Sequence, residues 1–343
     1  MNKPIRTLIV DDSKIVRMVL NEILSQSPDI EVCGMAVDPY DAREKMKVLN
    51  PDVVTLDIEM PKMDGISFLK KIMRLRPTRV VMVSTLTKKG AAITLEALEI
   101  GAVDFVHKPG QSERDIKQLA DELISKIITA AQANLHAIEQ LPLTQKTKAK
   151  VKPSSYELIS IGASTGGTEA IKEALLDYPK NGPPVVISQH IPPIFSTTYA
   201  QRLSATLNIP VIEVTEKVKL EAGSIYLAHG DHHMIFKNLQ GLIAIPDSSE
   251  KVNKHRPSVD VMFHSLSDLK LKSVLAILLT GMGADGASGL LRLKNQGVKT
   301  IAQDKESSIV WGMPKKAIEL GAATEILSLQ KIRDTLAKVA MAK

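Results

Sequence analysis

Three aspartates and one lysine follow short apolar runs in the first third of the chain. Asp11 and Asp12 come directly after the first run and Asp57 directly after the second, and Lys108 follows the third after one intervening residue. If the runs are parallel strands, their carboxyl ends meet at one edge of a sheet, and these side chains converge there. Clustered carboxylates suit Mg²⁺, and an aspartate beside Mg²⁺ and a lysine can accept a phosphoryl group, because both cations neutralise its charge. The runs are Ile5–Val10, 52–56 and 103–106.

A serine in the second half of the chain lies in a turn that favours nucleophilic chemistry. Ser164 is part of GASTG (162–166), between a predicted strand and a predicted helix over 167–176. The spacing matches the G-x-S-x-G pattern, in which a tight turn exposes a nucleophilic serine. Backbone N–H groups at a helix start can also stabilise an oxyanion. The local sequence leaves three interpretations open: a nucleophile, an anion-binding turn and a plain helix cap.

A nucleophilic serine needs a base and a group that orients the base. His190 ends the next predicted strand after Ser164, and Asp285 follows a later one. The chain order Ser, His, Asp differs from the Ser, Asp, His order of α/β-hydrolases. His255 and Asp260 are the alternatives to His190 and Asp285, although His255 heads a loop that is more typical of a substrate-side wall.

A glycine pattern supports a different interpretation. Gly281, Gly283 and Gly286 form G-x-G-x-x-G between a predicted strand and a predicted helix, and Asp304 lies 18 residues beyond Gly286. The pattern is close to the dinucleotide-binding fingerprint with its ribose-binding acid, so an NAD-dependent oxidoreductase is an alternative. That fingerprint normally opens its domain, whereas here it comes near the end of the chain.

Composition limits the classes of function. The 343 residues carry a net charge of +6, and only 3% are aromatic, which disfavours single-stranded nucleic-acid binding because that relies on aromatic stacking. Cys33 is the single cysteine, so a disulfide within the chain is excluded, as expected in a reducing compartment. Asp11 and Asp12 interrupt the first apolar run, which argues against a signal peptide, and no run approaches the roughly 18 residues that span a bilayer. We expect a cytoplasmic protein with no direct membrane insertion and no nucleic-acid partner.

Strand and helix signals alternate in two blocks. The first has five βα units, which predicts a doubly wound parallel sheet. Residues 135–155 are polar, with prolines and spaced lysines, and are predicted to be a linker. We expect one domain over 1–122, a helix and linker over 123–153, and a second α/β domain with a mainly parallel sheet over 154–343. Its predicted strands are 158–161, 184–188, 224–227, 274–280 and 298–302.

The first block, residues 1 to about 120, resembles the response-regulator receiver family. The resemblance implies a flavodoxin-like fold with a five-stranded parallel sheet, and phosphorylation of Asp57 by a sensor histidine kinase. It implies that Mg²⁺ is held by Asp11, Asp12, Asp57 and the Glu59 backbone carbonyl. It also implies switch roles for Ser84, Phe105 and Lys108. The matching segments are LIVDDS (8–13), TLDIEMPKMDGISFL (55–69), VVMVSTLT (80–87) and GAVDFVHKP (101–109).

The second block resembles the chemotaxis protein-glutamate methylesterase and glutamine deamidase family over nearly its whole length. The resemblance implies that Ser164 is the nucleophile, His190 the general base and acid, and Asp285 the orienting carboxylate. It implies backbone oxyanion donors near Thr165 and Met282, and no cofactor for ester hydrolysis. The matching segments are IGASTGG (161–167), QHIPP (189–193), HRPSVDVMF (255–263), LTGMGADGASGL (279–290) and AQDKESSIVWGMP (302–314).

Together the two resemblances imply an enzyme controlled by phosphorylation. The expected substrates are glutamyl methyl esters, and receptor glutamines, on methyl-accepting chemoreceptors. The methylesterase resemblance further implies that the unphosphorylated receiver covers the catalytic cleft. A DNA-binding output domain is a second alternative, but the second block is too long and too rich in strands for a helical recognition module.

Overall fold

The computed structural model describes residues 3–85, 87–108, 113–139 and 154–341 of the chain. The chain divides into two compact units, Met1–Leu135 and His136–Lys343, each of which is described by itself below. The central part of the predicted linker, residues 140–153, lies outside the described residues. Among the described helices, none has the length and apolar character that a bilayer crossing requires.

The first unit is a parallel sheet with helices between its strands. The strand order is β2-β1-β3-β4-β5, and every pairing is parallel, which confirms the predicted five-stranded receiver-like sheet. The strands are β1 (Ile5–Val10), β2 (Ile30–Ala36), β3 (Val53–Asp57), β4 (Arg79–Ser84) and β5 (Asp104–His107). The helices are α1 (Lys14–Leu24), α2 (Pro39–Leu49), α3 (Gly65–Leu75), α4 (Lys88–Ile100) and α5 (Glu113–Ala131).

The order of these strands determines where the first unit can bind a ligand. The chain passes from β1 to the edge strand β2 and then returns to β3 on the other side of β1. Such a reversal opens a crevice at the carboxyl ends of β1 and β3. The central strands β1 and β3 are largely aliphatic and buried, as at Leu8, Ile9, Val54 and Leu56, because helices cover both faces of the sheet.

The second unit is larger and contains more than one sheet. Its strands are β6 (Ser154–Tyr156), β7 (Leu158–Ala163), β8 (Val185–Gln189), β9 (Val211–Val214), β10 (Val218–Lys219), β11 (Ile225–Ala228), β12 (His233–Asn238), β13 (Leu242–Asp247), β14 (Val274–Leu278), β15 (Lys299–Gln303), β16 (Glu325–Leu327) and β17 (Val339–Met341). Its helices, after the short α6 (Leu135–Glu139) at the boundary between the units, are α7 (Gly167–Leu175), α8 (Pro193–Leu207), α9 (Val259–Asp268), α10 (Ala287–Asn295), α11 (Met313–Glu319) and α12 (Leu329–Leu336).

A seven-stranded parallel sheet in the order β16-β15-β14-β7-β8-β11-β9 forms the centre of this unit. It contains all five predicted strands, so the mainly parallel α/β fold is confirmed. The sequence did not predict the edge strands β9 and β16, nor the antiparallel sheet β10-β13-β12. These strands are short or partly exposed, and their apolar patterns are correspondingly weak.

The middle of the large sheet brings distant segments of the chain together. Strands β14, β7 and β8 are neighbours, and all three run in the same direction. Their carboxyl ends therefore lie side by side, and the segments that follow them begin at Leu279, Ser164 and His190.

Helix α9 packs closely against this part of the sheet. Val259 and Phe263 on α9 are fully buried. A Cβ atom added to Gly162 in β7 would lie 2.1 Å from Val259 Cγ1, so only glycine allows α9 to approach the strand this closely.

We expect Gly162→Ala to destabilise the second unit by about 1–3 kcal/mol, because the added methyl group pushes α9 away from β7. Denaturant unfolding measures the change. The variant Gly162→Ala/Val259→Ala should cost less than the sum of the two single substitutions, because the smaller side chain makes room. Additive effects would contradict this explanation.

Candidate functional site

The turn after β7 presents Ser164 at the end of the central strand. The Ser164 backbone N–H donates to the Thr280 carbonyl at 3.0 Å, and its own carbonyl accepts from Gly167 N at 2.7 Å. The Gln189 side-chain amide also donates to the Ser164 carbonyl, at 2.9 Å. These bonds connect the serine backbone to the segment that follows β14 and to the last residue of β8, so the hydroxyl group is carried on a fixed turn.

A glycine permits the segment after β14 to lie against the serine. A Cβ atom on Gly281 would be 2.7 Å from Ser164 Cβ. Gly281 is held by its N–H, which donates to the Val310 carbonyl at 3.0 Å. Thr165 and Met282, the predicted backbone donors, are therefore chain neighbours of Ser164 and of the glycine packed on it. Their oxyanion role stays a prediction.

His190, immediately after β8, lies between the serine and a carboxylate. Its Nδ1 atom is 3.0 Å from Ser164 Oγ, and its Nε2 atom is 2.8 Å from Asp285 Oδ2. The His190 side chain is 7% exposed and that of Asp285 2% exposed. If the neutral imidazole carries its proton on Nε2, then Nε2–H donates to Asp285. The unprotonated Nδ1 atom can then accept a hydrogen bond from the Ser164 hydroxyl.

Asp285 lies in the loop between β14 and α10, and it caps the start of α9. Its Oδ2 accepts from Val259 N at 2.6 Å, and its Oδ1 accepts from Asp260 N at 3.2 Å. The Ser258 hydroxyl donates to Oδ1 at 2.8 Å, and Asn253 Nδ2 donates at 2.7 Å. A carboxylate at a helix N-terminus is stabilised by the free N–H groups and by the helix dipole.

These partners keep Asp285 ionised. Burial by itself would raise the pKa of this carboxyl, but the hydrogen bond and charge of His190, followed by the donors Asn253 and Ser258, hold the pKa well below its usual value. The arrangement therefore offers a permanent negative charge to the imidazole, which is what stabilises an imidazolium during proton transfer.

The alternative residues take other positions. The His255 ring stacks on His190 with 3.7 Å between ring centroids and 11° between planes. Asp260 bonds Asn253 and the Gly289 backbone N–H, at 2.8 and 2.7 Å. Asp304 accepts from the Ser307 backbone N–H at 3.0 Å and from its hydroxyl at 2.6 Å, within its own turn.

The first unit holds a second polar cluster, at the crevice beside β1 and β3. Oxygen atoms of Asp11, Asp12 and Asp57 all lie within 4.8 Å of one another, and they form a group suited to a metal ion within the described part of the chain. Lys108 Nζ is 2.8 Å from Asp57 Oδ2 and 3.1 Å from Asp11 Oδ2. Glu59, two residues past the end of β3, is exposed.

Burial and neighbouring charges shift the pKa values of Asp57 and Lys108 in this acidic cluster. Burial is the largest effect on Asp57 and, with the nearby Asp11 carboxylate, raises its pKa to about 6 despite the opposing effect of Lys108. Burial alone would lower the pKa of Lys108, but Asp57 and Asp11 raise it. A set of hard oxygen atoms with excess negative charge fits a divalent cation such as Mg²⁺.

The other predicted switch residues lie on the adjoining strands. Ser84 ends β4 and is buried, and its hydroxyl accepts from Thr94 Oγ1 on α4 at 2.9 Å. Phe105 on β5 is buried, and Lys126 Nζ lies 4.8 Å from the centre of its ring. Ser84 is thereby connected to α4, the helix that follows its strand.

Two side chains that donate to Asp285, besides His190, were not predicted. Asn253 and Ser258 both donate to Asp285, although they lie 32 and 27 residues from it in the chain. Ser258 belongs to the quoted segment 255–263, but no local pattern connects either side chain with Asp285. Such partners are found only once α9 and the loop before it are folded against the sheet.

Known proteins resemble the chain in both units. The family model for CheB methylesterase matches residues 159–336, and the model for the response regulator receiver domain matches residues 7–121. A protein-glutamate methylesterase/protein-glutamine glutaminase 2 of Saccharophagus degradans is 49% identical over 346 residues, which cover 99% of both chains. The protein of the same name from Vibrio vulnificus is 48% identical over 335 residues, covering 97% of both chains.

A solved structure resembles the second unit. The crystal structure of the Thermotoga maritima CheB methylesterase catalytic domain has 36% sequence identity and a TM-score of 0.51. The alignment covers 53% of this chain and 98% of the Thermotoga maritima chain. The α/β architecture of the second unit is therefore shared with a domain that was crystallised by itself.

In metal-free protein, Asp57 should titrate near pH 6 rather than near its ordinary value of 3.8. The folded chain then binds more protons than the unfolded chain between these values, so the free energy of unfolding falls as pH rises across that window, by at most about 3 kcal/mol. Carboxyl ¹³C NMR measures the titration, and Asp57→Asn, which should remove it, is the control. A midpoint near the ordinary value would contradict the expectation.

Proposed function

The chain belongs to the CheB methylesterase family, and we propose that it hydrolyses glutamyl methyl esters of chemoreceptors through Ser164, His190 and Asp285. The observation that carries the proposal is the contact of one imidazole with both the Ser164 hydroxyl and the buried Asp285 carboxylate. The names of the relatives add glutamine deamidation as a second reaction of the same site.

The first half of the reaction forms an acyl-enzyme. Ser164 Oγ attacks the ester carbonyl while its proton passes to His190 Nδ1. Asp285 stays ionised and stabilises the imidazolium through its hydrogen bond with Nε2. When the tetrahedral intermediate collapses, the C–O bond to the methoxy group breaks. His190 returns the proton to that group, which leaves as methanol.

The second half restores the serine. Water attacks the acyl carbonyl and gives a proton to His190, which then protonates Ser164 Oγ as the glutamate carboxyl is released. Backbone N–H groups of Thr165 and Met282 would stabilise the oxyanion in both halves. A glutamine substrate follows the same steps, with ammonia as the leaving group.

The first unit is proposed to control this activity by phosphorylation. Asp57 accepts the phosphoryl group, and Lys108 pairs with it. Asp11, Asp12 and Asp57, with the Glu59 carbonyl, would hold Mg²⁺, which neutralises phosphoryl charge when bound. Ser84 then turns toward the phosphoryl oxygens and gives up its bond with Thr94 on α4, while Phe105 reorients.

Family membership also supports proposals for the binding partners and for the domain boundaries of the chain. Chemoreceptors would be the substrates and a sensor histidine kinase the phosphodonor, in the cytoplasm. We propose that the receiver spans 1–122 and the catalytic domain 154–343, with a helix and linker between them. An NAD-dependent oxidoreductase and a DNA-binding output receive no support from the matching families, which cover the segments on which those alternatives rest.

Ser164→Ala should reduce ester hydrolysis by at least about a thousandfold, because the nucleophile is lost while no volume is added to the turn. Methanol release from a peptide with a glutamate γ-methyl ester measures the rate. The far-ultraviolet circular dichroism spectrum of the variant should match that of the parent. Activity close to that of the parent would remove Ser164 from the proposal.

Asp285→Asn tests the orienting carboxylate in the same assay. The amide keeps the shape but cannot hold the imidazole in the required tautomer, so kcat should fall by about 10²- to 10⁴-fold. The control variant is Thr335→Ala, at a half-buried residue of α12 whose hydroxyl donates to the Lys331 carbonyl of the same helix, and it should leave kcat unchanged. An unchanged rate for Asp285→Asn would transfer the orienting role to another acid.

A small phosphodonor such as acetyl phosphate should raise the rate of the full-length chain only when Mg²⁺ is present. Asp57→Asn should abolish both phosphoryl uptake and the rise in rate, because Asp57 is the proposed acceptor and its carboxylate lies 2.8 Å from Lys108, closer than that of Asp11 at 3.1 Å. Intact-protein mass spectrometry and methanol release measure the two effects. Uptake by Asp57→Asn at the parent rate would place the acceptor elsewhere.

A fragment that starts at Ser154 lacks the receiver and tests whether the unphosphorylated receiver inhibits the catalytic domain. If the unphosphorylated receiver covers the cleft, the fragment should exceed the unphosphorylated full-length chain in rate and ignore the phosphodonor. A coupling free energy of about 1–3 kcal/mol corresponds to roughly 5- to 150-fold. A fragment no faster than the parent would exclude inhibition by covering.

A further inference from the structure

The segment before α9 makes a tight turn beside the serine cluster. Val252 and His255 pair through two backbone hydrogen bonds, Val252 N to His255 O at 3.1 Å and His255 N to Val252 O at 2.9 Å. Between them, Asn253 and Lys254 have φ values of 54° and 69°. Both central residues are left-handed, as in the two-residue turns that favour asparagine and glycine.

The side chain of Asn253 connects two buried carboxylates. Its Nδ2 group donates to Asp285 Oδ1 at 2.7 Å and to Asp260 Oδ2 at 2.8 Å, so both of its hydrogen atoms are used. Asp260 is 6% exposed and Asp285 2% exposed. A donor that bonds both of two neighbouring buried carboxylates offsets their repulsion, and Asn253 supplies that donor.

The far end of this bridge is fixed. Asp260 lies in the first turn of α9, and its Oδ1 accepts from the Gly289 backbone N–H of α10 at 2.7 Å. Asn253 therefore holds Asp285 against a carboxylate that two helices immobilise. The same turn carries His255, whose ring lies flat on His190 at a centroid distance of 3.7 Å. The turn thus contacts the face of the imidazole and also the carboxylate at its edge.

We propose that Asn253 is a positioning residue for the hydrolysis, because its amide fixes the Asp285 carboxylate that orients His190, and its turn fixes the plane of the imidazole through His255. The proposal rests on the proposed esterase function. Asn253 would touch neither the substrate nor the reacting atoms. It acts through Asp285, so its loss should lower the catalytic rate more than the affinity for substrate.

Asn253→Gly tests this role in the full-length chain. Glycine adopts the left-handed conformation without strain, so the substitution removes the amide and keeps the turn. Losing a hydrogen bond to a charged group should lower kcat about tenfold, with KM within about twofold, for a peptide that carries a glutamate γ-methyl ester. The matched control is Lys254→Gly, which changes the neighbouring left-handed residue and should leave both constants near those of the parent.

A spectroscopic measurement follows the positioning directly. The proton that His190 Nε2 shares with Asp285 should give a far-downfield ¹H NMR signal in the parent chain. Asn253→Gly should move or broaden that signal, and Lys254→Gly should leave it in place. A parent without esterase activity would refute the proposed function, whereas the NMR comparison would still decide the role of Asn253.

An Asn253→Gly variant with parent kcat and an unmoved signal would overturn the proposal. If that variant does not fold, Asp260→Asn replaces it, because its amide oxygen can still accept from Gly289 while its amide nitrogen cannot accept from Asn253. A loss of at least about threefold in kcat together with a moved proton signal would then support the proposal. Parent values of both would overturn it.

Discussion

A carboxylate buried at the start of α9 determines the geometry of the serine site. An ionised group without water is unstable unless hydrogen-bond donors surround it. Asp285 obtains them from His190, from the turn before α9, from Ser258 and from the first backbone N–H groups of the helix. Because the donors come from His190 after β8 and from the turn and first residues of α9, the charge can be satisfied only when β8, α9 and the loop after β14 are in their final places. The requirement that stabilises the charge thereby also aligns the imidazole with Ser164.

The two units place an aspartate at the same kind of position and give it opposite properties. Asp57 and Asp285 are both buried near the carboxyl edge of a parallel sheet. Asp57 lies beside Asp11, and burial raises its pKa to about 6. Asp285 has donors on both oxygen atoms, and its pKa is held low. The first environment crowds negative charge around a carboxyl that is easily protonated, whereas the second favours the ionised carboxylate.

Close backbone approach is the other recurring feature of the serine site. Gly281 allows its segment to pack on Ser164, and Gly162 allows α9 to pack on β7. Side chains at either position would separate the layers that carry Ser164 and Asp285. The site therefore lies on turns that are packed tightly against strands and helix ends, which suits the orientation of an imidazole to within about half an ångström.

The sequence by itself determined the strongly apolar, buried strands and the residues that follow them. Apolar runs gave the strands, and the residues that directly follow them, such as Asp11, Ser164 and His190, could be assigned to one edge because parallel strands share a direction. The tertiary structure decided which of these groups meet and through which atoms. That Nδ1 of His190 faces Ser164, that Asn253 joins Asp260 to Asp285, and that short strands extend both edges of the large sheet depend on contacts between residues far apart in the chain. A periodic pattern records which face of an element is apolar, but it does not record which distant side chain will satisfy a buried charge.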